Sequence, residues 1–184
     1  MVNKFSISKV FLLKDLSSEQ MRRYIECIKF WIEMITYNNM NLKKLVIEEI
    51  EDPNDRVIYH DTVTEVEIDS LGLIKREIRL EQTIRFVEEG ERIEDGIKIN
   101  GVNIIIEKSN HVKHFDCYIK IEEKPGKARV TFNLNRMVLN NELLDLLGDR
   151  IATNRFKREV KNVFKNIQEF IDSGKIRKFD KLCE

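Results

Sequence analysis

Proline, glycine and cysteine are scarce in this chain of 184 residues, which has 2, 7 and 3 of them. There is accordingly no low-complexity tract, internal repeat or linker, and we expect a single domain over 1–184, with a core of about 5–172 and a short tail at 175–184. Long apolar runs and the features of a signal peptide are missing too. Three widely spaced cysteines are atypical of a secreted disulfide scaffold, so we predict a cytoplasmic protein in a reducing environment.

An excess of charge of one sign is also lacking, because Lys plus Arg is 32 and Asp plus Glu is 32. This balance removes the simplest electrostatic argument for a nucleic-acid binder or a polybasic membrane binder. Charged residues nevertheless make up 35% of the chain, against a typical value of about 25%. Together with abundant isoleucine, this composition is typical of proteins from hot environments, and AT-rich genomes produce a similar one.

Motifs for catalysis and for cofactors are absent from the sequence. It contains no Gly-rich phosphate loop, no Cys-x-x-Cys pair and no His-Glu-x-x-His helix. We therefore predict neither a metal nor another cofactor and name no catalytic residue. Tyr59, His60 and Asp61 resemble a catalytic trio, but on a strand His60 points away from the other two.

The first part of the chain predicts a strand over 5–13, followed by one long helix. Ser17 can cap this helix, and Gln20 lies where a capping box needs it. Apolar residues then recur at spacings of four and three, which predicts a single helix from Ser17 to Asn38. The predicted stripe consists of Met21, Ile25, Ile28, Ile32 and Ile35.

From Lys43 to about Val138 the apolar period is two, which predicts six or seven antiparallel strands in a meander. The clearest of them covers 74–86 and is closed near Gly90. Asn100-Gly101 predicts a type I′ hairpin turn. Because each strand has one apolar and one charged face, the sheet must be covered on one side only.

Helical spacing returns after Asn140 and continues to Ile171, with Gly174 as a natural stop. This helix is long and apolar enough to lie along the concave face of the sheet. Its basic residues most simply form a solvated face, and contact with an anionic membrane or RNA is the sharper alternative. They are Arg150, Arg155, Lys157, Arg158, Lys161 and Lys165.

This order of elements resembles the helix-grip fold of the START/SRPBCC superfamily, which includes birch-pollen-allergen-like and polyketide cyclase-like proteins. The resemblance is carried by Phe5-Ser6-Ile7-Ser8-Lys9-Val10 with Ser17-Ser18-Glu19-Gln20, and by 143–150 running on to Ile171. It implies an α+β fold in which a curved antiparallel sheet of seven or eight strands wraps a long C-terminal helix, with a helical insertion after the first strand. The family has two short helices there, where the present pattern predicts one.

The resemblance also implies an apolar cavity between sheet and helix, but no mechanism, because the family shares no catalytic residue. Polar residues on the apolar strand faces are then candidates to bind a ligand, since a buried polar group is costly unless it is paired. Gln82 is the most central of them, whereas Arg76 and Lys113 most simply lie at the rims of the sheet. The full set predicted to face the cavity is His60, Thr62, Arg76, Gln82, Lys113, Phe115, Cys117, Phe132 and Phe164.

Three functions fit these expectations. The first is an intracellular binding protein for an apolar or amphipathic, lipid-like small molecule. The second is an interaction module with a filled core, which acts through its surface or as an oligomer such as a homodimer. The third is a cyclase- or hydrolase-like enzyme, for which His60 and Arg76 are the candidates in the cavity. The volume of the cavity separates the filled core from the other two.

Overall fold

The computed structural model describes residues 4–67, 74–140, 147 and 149–183. The helices are α1 (Ser18–Glu26), α2 (Ile28–Thr36), α3 (Asp149–Asp172) and α4 (Phe179–Leu182), with a 3-10 turn at Lys175–Lys178. The strands are β1 (Lys4–Lys14), β2 (Leu42–Ile50), β3 (Arg56–Glu67), β4 (Lys75–Glu94), β5 (Ile97–Ser109), β6 (Val112–Lys124) and β7 (Lys127–Leu139). They form one antiparallel sheet in the order β1-β7-β6-β5-β4-β3-β2.

The strand order determines where the helices lie. Because β1 and β2 are at opposite edges of the sheet, α1 and α2, which connect them, must cross its width. The long helix α3 packs against both α2 and β1. The curled sheet and these helices enclose the apolar core, so the predicted α+β architecture with a long C-terminal helix is confirmed. Fully buried core side chains include Phe11, Leu13, Ile119, Ile121, Val130 and Ile167.

The single helix predicted from Ser17 to Asn38 is in fact two helices, which meet at Cys27. The backbone of Cys27 is extended, with φ −88° and ψ 121°. Its N–H donates to the carbonyl of Tyr24 at 3.0 Å. Nε1 of Trp31 donates to the carbonyl of Ile25 at 2.5 Å, which satisfies one of the carbonyl groups that the end of α1 leaves open. The start of α1 is as predicted, since Ser17 and Gln20 form the capping box.

This break changes which face of α2 is buried. Met21 and Ile25 in α1 are fully buried, as the stripe predicts. In α2 the fully buried side chains are Phe30 and Met34, whereas Ile32 is only partly buried. The predicted stripe is therefore correct for α1 but only partly correct for α2, where Ile28 packs against the core and Ile35 faces the interior, whereas Ile32 does neither. The extended residue between the helices rotates α2, so that Phe30 and Met34 are its fully buried side chains.

The turn predicted at Asn100-Gly101 is also wrong. β5 runs through both residues, and the chain reverses at Asp95-Gly96, where Gly96 has a φ of 76°. β4 likewise continues past Gly90 through an irregularity in register. Gly101 is needed for a different reason, since a Cβ there would lie 2.9 Å from Cε2 of Tyr118. The glycine thus allows a close approach within the sheet, and the sheet has seven strands.

A disulfide joins Cys27 to Cys183, whose Cα atoms are 5.6 Å apart. The expectation of a chain in a reducing environment did not anticipate this bond. It ties the junction of α1 and α2 to the end of the chain. The segment expected to be a short tail contributes Ile176 and Phe179, which are 3% and 0% exposed, to the core. Cys117 is a free, buried cysteine.

The C-terminal helix ends where the sequence predicts. α3 stops at Asp172, and Gly174 follows with a φ of 72°. Asp69, Ser70 and Gly72 are residues that favour a turn, but this segment lies outside the described residues, as does most of 141–148, which includes Leu143 and Leu144. Among the helices that are described, none combines the length and the hydrophobicity that crossing a bilayer requires.

Candidate ligand cavity

Two adjoining cavities lie between the concave face of the sheet and the helices. The first cavity has a volume of about 210 Å³. For scale, a cavity of about 150 Å³ lined by apolar side chains can bind benzene. The walls are apolar apart from one histidine, one glutamine and one cysteine. They consist of Trp31, Ile35, Ile47, Ile58, His60, Gln82, Ile84, Phe86, Ile104, Phe115, Cys117, Phe132, Leu134, Val160, Val163 and Phe164.

The second cavity, of about 160 Å³, lies beside the first. Ile35, His60 and Val163 line both. Its walls carry more polar groups than those of the first. They consist of Ile35, Asn39, Leu42, His60, Thr62, Thr64, Val66, Ile78, Leu80, Leu147, Arg155, Phe156, Glu159 and Val163.

Aromatic rings form one end of the first cavity. The ring centroids of Phe132 and Phe164 are 5.4 Å apart, and Trp31 meets Phe132 edge-on at 6.4 Å. Phe164 also lines a surface groove between β1 and α3, in which Lys161 and Lys165 lie. Its ring therefore lies between the first cavity and the outside of the molecule.

His60 and Gln82 form the polar centre of the first cavity. They are direct partners across β3 and β4, so both side chains point to the concave face. Nε2 of Gln82 lies 3.1 Å from Nδ1 of His60. Burial lowers the pKa of His60 to about 4, against the opposing effect of the nearby Asp61 carboxylate. The imidazole is therefore neutral near pH 7.

The other polar atom of the Gln82 amide has no partner among the described residues. Oε1 of Gln82 is buried and receives no hydrogen bond from any described residue. Buried amide oxygens normally accept at least one hydrogen bond. An unpaired acceptor thus faces an otherwise apolar space.

The polar centre of the second cavity is an ion pair on α3. Nη2 of Arg155 lies 2.7 Å from Oε1 of Glu159, one helical turn further on. The two atoms are poorly aligned for a hydrogen bond, so the contact is an ion pair only. Nδ2 of Asn39 donates to Oε2 of Glu159 at 3.3 Å. Arg155 is 7% exposed, and its burial lowers the pKa of the guanidinium.

Cys117 completes the ionisable groups of the first cavity. Burial raises the pKa of its thiol to about 12, so the thiol stays protonated and unreactive. Among the described wall residues, His60 and Cys117 are the only ionisable ones. The first cavity is therefore uncharged at neutral pH.

Comparison with known proteins identifies the fold through structure alone. No protein-family model matches the chain, and no curated protein matches its sequence. The Zhui aromatase/cyclase from Streptomyces sp. R1128 superposes with a TM-score of 0.58 at 8% identity, over 95% of each chain. A START superfamily protein from Mycobacterium smegmatis superposes with a TM-score of 0.51 at 10% identity, over 91% of this chain and 97% of that one. This chain has the helix-grip fold of these two structures.

A third structure extends the likeness to a thermophile. A protein of Thermus thermophilus superposes with a TM-score of 0.50 at 10% identity, over 92% of this chain and 99% of that one. The superpositions establish the helix-grip fold. Sequence identities this low say nothing about the ligand, which must be inferred from the cavity itself.

The helix-grip sheet brings seven of the nine predicted site residues to a cavity wall. Arg76 and Lys113 are the exceptions, since both are exposed and line neither cavity. A shift in register between Val112 and His114 turns Val112 inward in place of Lys113. Arg76 is exposed because it lies near the start of β4, at the rim of the sheet. That the other seven bind a ligand stays a prediction. They are His60, Thr62, Gln82, Phe115, Cys117, Phe132 and Phe164.

The apparent trio of Tyr59, His60 and Asp61 is split between the two faces of the sheet, as predicted. His60 lines the cavities, whereas Asp61 accepts hydrogen bonds from Arg79 and Lys44, each at 2.9 Å. These bonds lower the pKa of Asp61 to about 2. Asp61 therefore belongs to an ion-pair cluster outside the cavity.

Sequence reasoning missed the ion pair of the second cavity. Arg155 was assigned to the basic face of the C-terminal helix, but it is buried. A signal was present, because Arg155 and Glu159 continue the four-residue spacing that joins Ile151 to Val163 and Ile167. Charged residues within an apolar stripe were thus the sign of a polar group in the interior.

Proposed function

We propose that this protein binds an apolar or amphipathic small molecule inside the cell, in the first cavity between the sheet and α3. The observation that carries the proposal is the apolar cavity between sheet and helix with a single neutral polar centre, His60 and Gln82. Ligand sites in proteins typically combine apolar walls with a few polar groups that orient the ligand. The START-like fold of the chain supports such a use.

The cavity argues against a core that is filled by its large side chains. Trp31, Phe86, Phe115, Phe132 and Phe164 could close this space, but they stand around it as its walls. Dense packing is the norm in protein interiors, so an apolar space of about 210 Å³ is a feature to be explained. A ligand that occupies it provides the explanation.

The ionisable groups favour binding over acid–base catalysis. Proton transfer in a cavity requires groups whose pKa lies near the working pH. The pKa of His60 is about 4 and that of Cys117 is about 12. Arg76, the other residue considered for catalysis, is exposed.

A cytoplasmic location is part of the proposal, and the Cys27–Cys183 disulfide is compatible with it. Intracellular proteins of hyperthermophiles are the known exception to the rule that disulfides belong to oxidising compartments. A charged fraction of 35% with abundant isoleucine is the composition expected of such a source.

The proposal is tested by native mass spectrometry of protein purified from its own host, followed by organic extraction. Val163→Phe places a larger ring at a position shared by both cavities, and overpacking of this kind costs about 1–3 kcal/mol of stability. Lys161→Phe, at an exposed position of the same helix, is the matched control.

We expect the wild type and Lys161→Phe to carry one extractable apolar molecule per chain and Val163→Phe to carry none. Thermal unfolding confirms that each variant is folded. A wild type of bare mass, or a bound molecule that is retained by folded Val163→Phe, contradicts the proposal.

A further inference from the structure

The polar centre of the first cavity has a defined donor and a defined acceptor. His60 and Gln82 face each other in the register of β3 and β4. The amide of Gln82 donates through Nε2 to Nδ1 of His60 at 3.1 Å. A neutral imidazole carries one proton, and a ring nitrogen that accepts a hydrogen bond cannot hold it. The proton of His60 is therefore on Nε2, which becomes a donor.

The charge state of His60 supports this assignment. Its side chain is 6% exposed, and burial lowers its pKa to about 4. Asp61, the nearest carboxylate, lies on the opposite face of the sheet and is held by Arg79 and Lys44. Across the physiological range the ring thus remains in the form with a single N–H.

The same geometry leaves Gln82 with an unused acceptor. Its Nε2 is engaged with His60, and Oε1 is buried without a hydrogen-bond partner among the described residues. The neighbouring wall residues Ile58, Ile84 and Ile104 offer no polar atom. A group that satisfies this oxygen must come from whatever occupies the cavity.

Only some chemical groups can complete the pair. A carbonyl, an ether or a carboxylate has no proton to donate to Oε1 of Gln82. An ammonium has protons, but a charge in an apolar cavity is strongly disfavoured without a counter-ion. A hydroxyl group, or another uncharged group with a polar hydrogen, can donate to Oε1 without bringing a charge into the cavity.

We propose that the molecule bound in the first cavity carries an uncharged hydrogen-bond donor, in the simplest case a hydroxyl, which donates to Oε1 of Gln82. The ligand class is therefore an apolar molecule with one uncharged O–H or N–H group, such as an alcohol or a phenol. This inference rests on the proposed function, because it specifies the polar group of the same ligand.

Three probes of similar shape separate this inference from simple apolar binding. β-Naphthol has the hydroxyl, its methyl ether has an acceptor only, and naphthalene has neither. Titration calorimetry on the full chain gives their affinities. For the wild type we expect β-naphthol to bind about tenfold more tightly than either of the others, as one well-placed hydrogen bond allows.

Two variants assign the preference to the pair. Gln82→Leu removes the acceptor, and we expect the three probes then to bind within about twofold of one another. Ile84→Val, at the next inward position of β4, is the matched control. It should weaken all three probes alike and keep the preference for β-naphthol.

Nitrogen-15 NMR of the His60 ring is an independent readout that does not depend on how the variants fold. We expect Nε2 to be protonated and Nδ1 to be unprotonated at pH 7. A proton on Nδ1 would overturn the assignment of donor and acceptor.

The outcomes also separate this inference from the proposed function. If the three probes bind the wild type equally well, or if Gln82→Leu keeps the preference, the cavity binds ligands but the hydroxyl inference is wrong. If none of the probes binds and nothing is extracted from the native protein, the proposed function fails and this inference fails with it.

Discussion

In the first cavity the polar atoms belong to two neutral side chains on neighbouring strands, whereas in the second they belong to an ion pair on one helix. Gln82 donates to His60 and leaves its own Oε1 without a partner among the described residues. Arg155 and Glu159 neutralise each other at 2.7 Å, and Asn39 adds a hydrogen bond. The first cavity thus keeps an unpaired acceptor, while the charges of the second are balanced by the protein itself.

The disulfide should produce the largest effect, since its bond closes a loop with a sequence separation of 156. Loss of a bond that closes so long a loop costs about 4 kcal/mol of unfolding free energy, which lowers Tm by about 10 °C. Because Cys27 adjoins α2, whose Trp31 lines the first cavity and not the second, β-naphthol binding should weaken as well.

The measurement is thermal unfolding and titration with and without a reductant. The control is Cys27→Ala/Cys183→Ala, which should resemble the reduced wild type and show no response to the reductant. A reduced wild type with unchanged Tm would show that the disulfide does not hold the wall of the first cavity in place.

The ion pair should show the next largest effect. Glu159→Met leaves the buried guanidinium of Arg155 without its ion-pair partner, and we expect a loss of about 3 kcal/mol, because an unpaired buried charge is costly. Arg155→Met/Glu159→Met should regain most of that stability, since an apolar pair can replace a buried ion pair.

Denaturant unfolding measures both changes. Arg158→Met, on the same helix but lining neither cavity, should differ from the wild type by less than about 0.5 kcal/mol. If the double variant is as unstable as the single one, the second cavity is not balanced by this pair.

His60 should give the stability of the protein a dependence on pH. Its folded pKa of about 4 lies below its ordinary value of 6.5, so the unfolded chain binds the proton more readily. Stability should therefore fall by up to about 3 kcal/mol as the pH drops from 6.5 to 4.

The readout is the difference between the wild type and His60→Leu in denaturant unfolding at several pH values. The difference is needed because Glu26, whose pKa burial raises to about 7, contributes a slope of opposite sign between pH 4.5 and 7. Parallel curves for the two proteins would contradict a buried neutral His60.

Thr62 should give the smallest effect. It lines the second cavity only, so Thr62→Val should change the affinity for β-naphthol by less than about twofold. Gln82→Leu, which removes the direct cross-strand partner of His60, should change it by about tenfold. Equal losses in the two variants would mean that the probe occupies both cavities, and the distinction between them would not hold.

The sequence predicted the polar centre of the first cavity because β3 and β4 pair without a shift in register. Strict alternation along both strands places Ile58, His60, Gln82 and Ile84 on one face. β6 has register shifts, which carry no local sequence signal, and there the prediction for Lys113 was wrong. The alternation of apolar and polar residues thus predicts which face of the sheet a side chain lies on only where neighbouring strands pair without a register shift.

The features that the sequence did not predict depend on distant residues. The helix breaks at Cys27, which is bonded to a residue 156 positions away. A Cβ at Gly101 would meet the side chain of Tyr118, from the neighbouring strand. The burial of Arg155 depends on packing against the strands that line the second cavity. Local periodicity cannot contain this information, because each of these constraints arises only once the chain has folded.

The most direct test is a titration of the full chain with β-naphthol, followed through the methyl groups of labelled isoleucines. Ile84 and Ile104 line the first cavity only, Ile78 lines the second only, and Ile35 lines both. We predict large shifts for Ile84 and Ile104, a smaller one for Ile35 and none for Ile78. Shifts confined to Ile78, or no shifts at saturating probe, would contradict a ligand site in the first cavity.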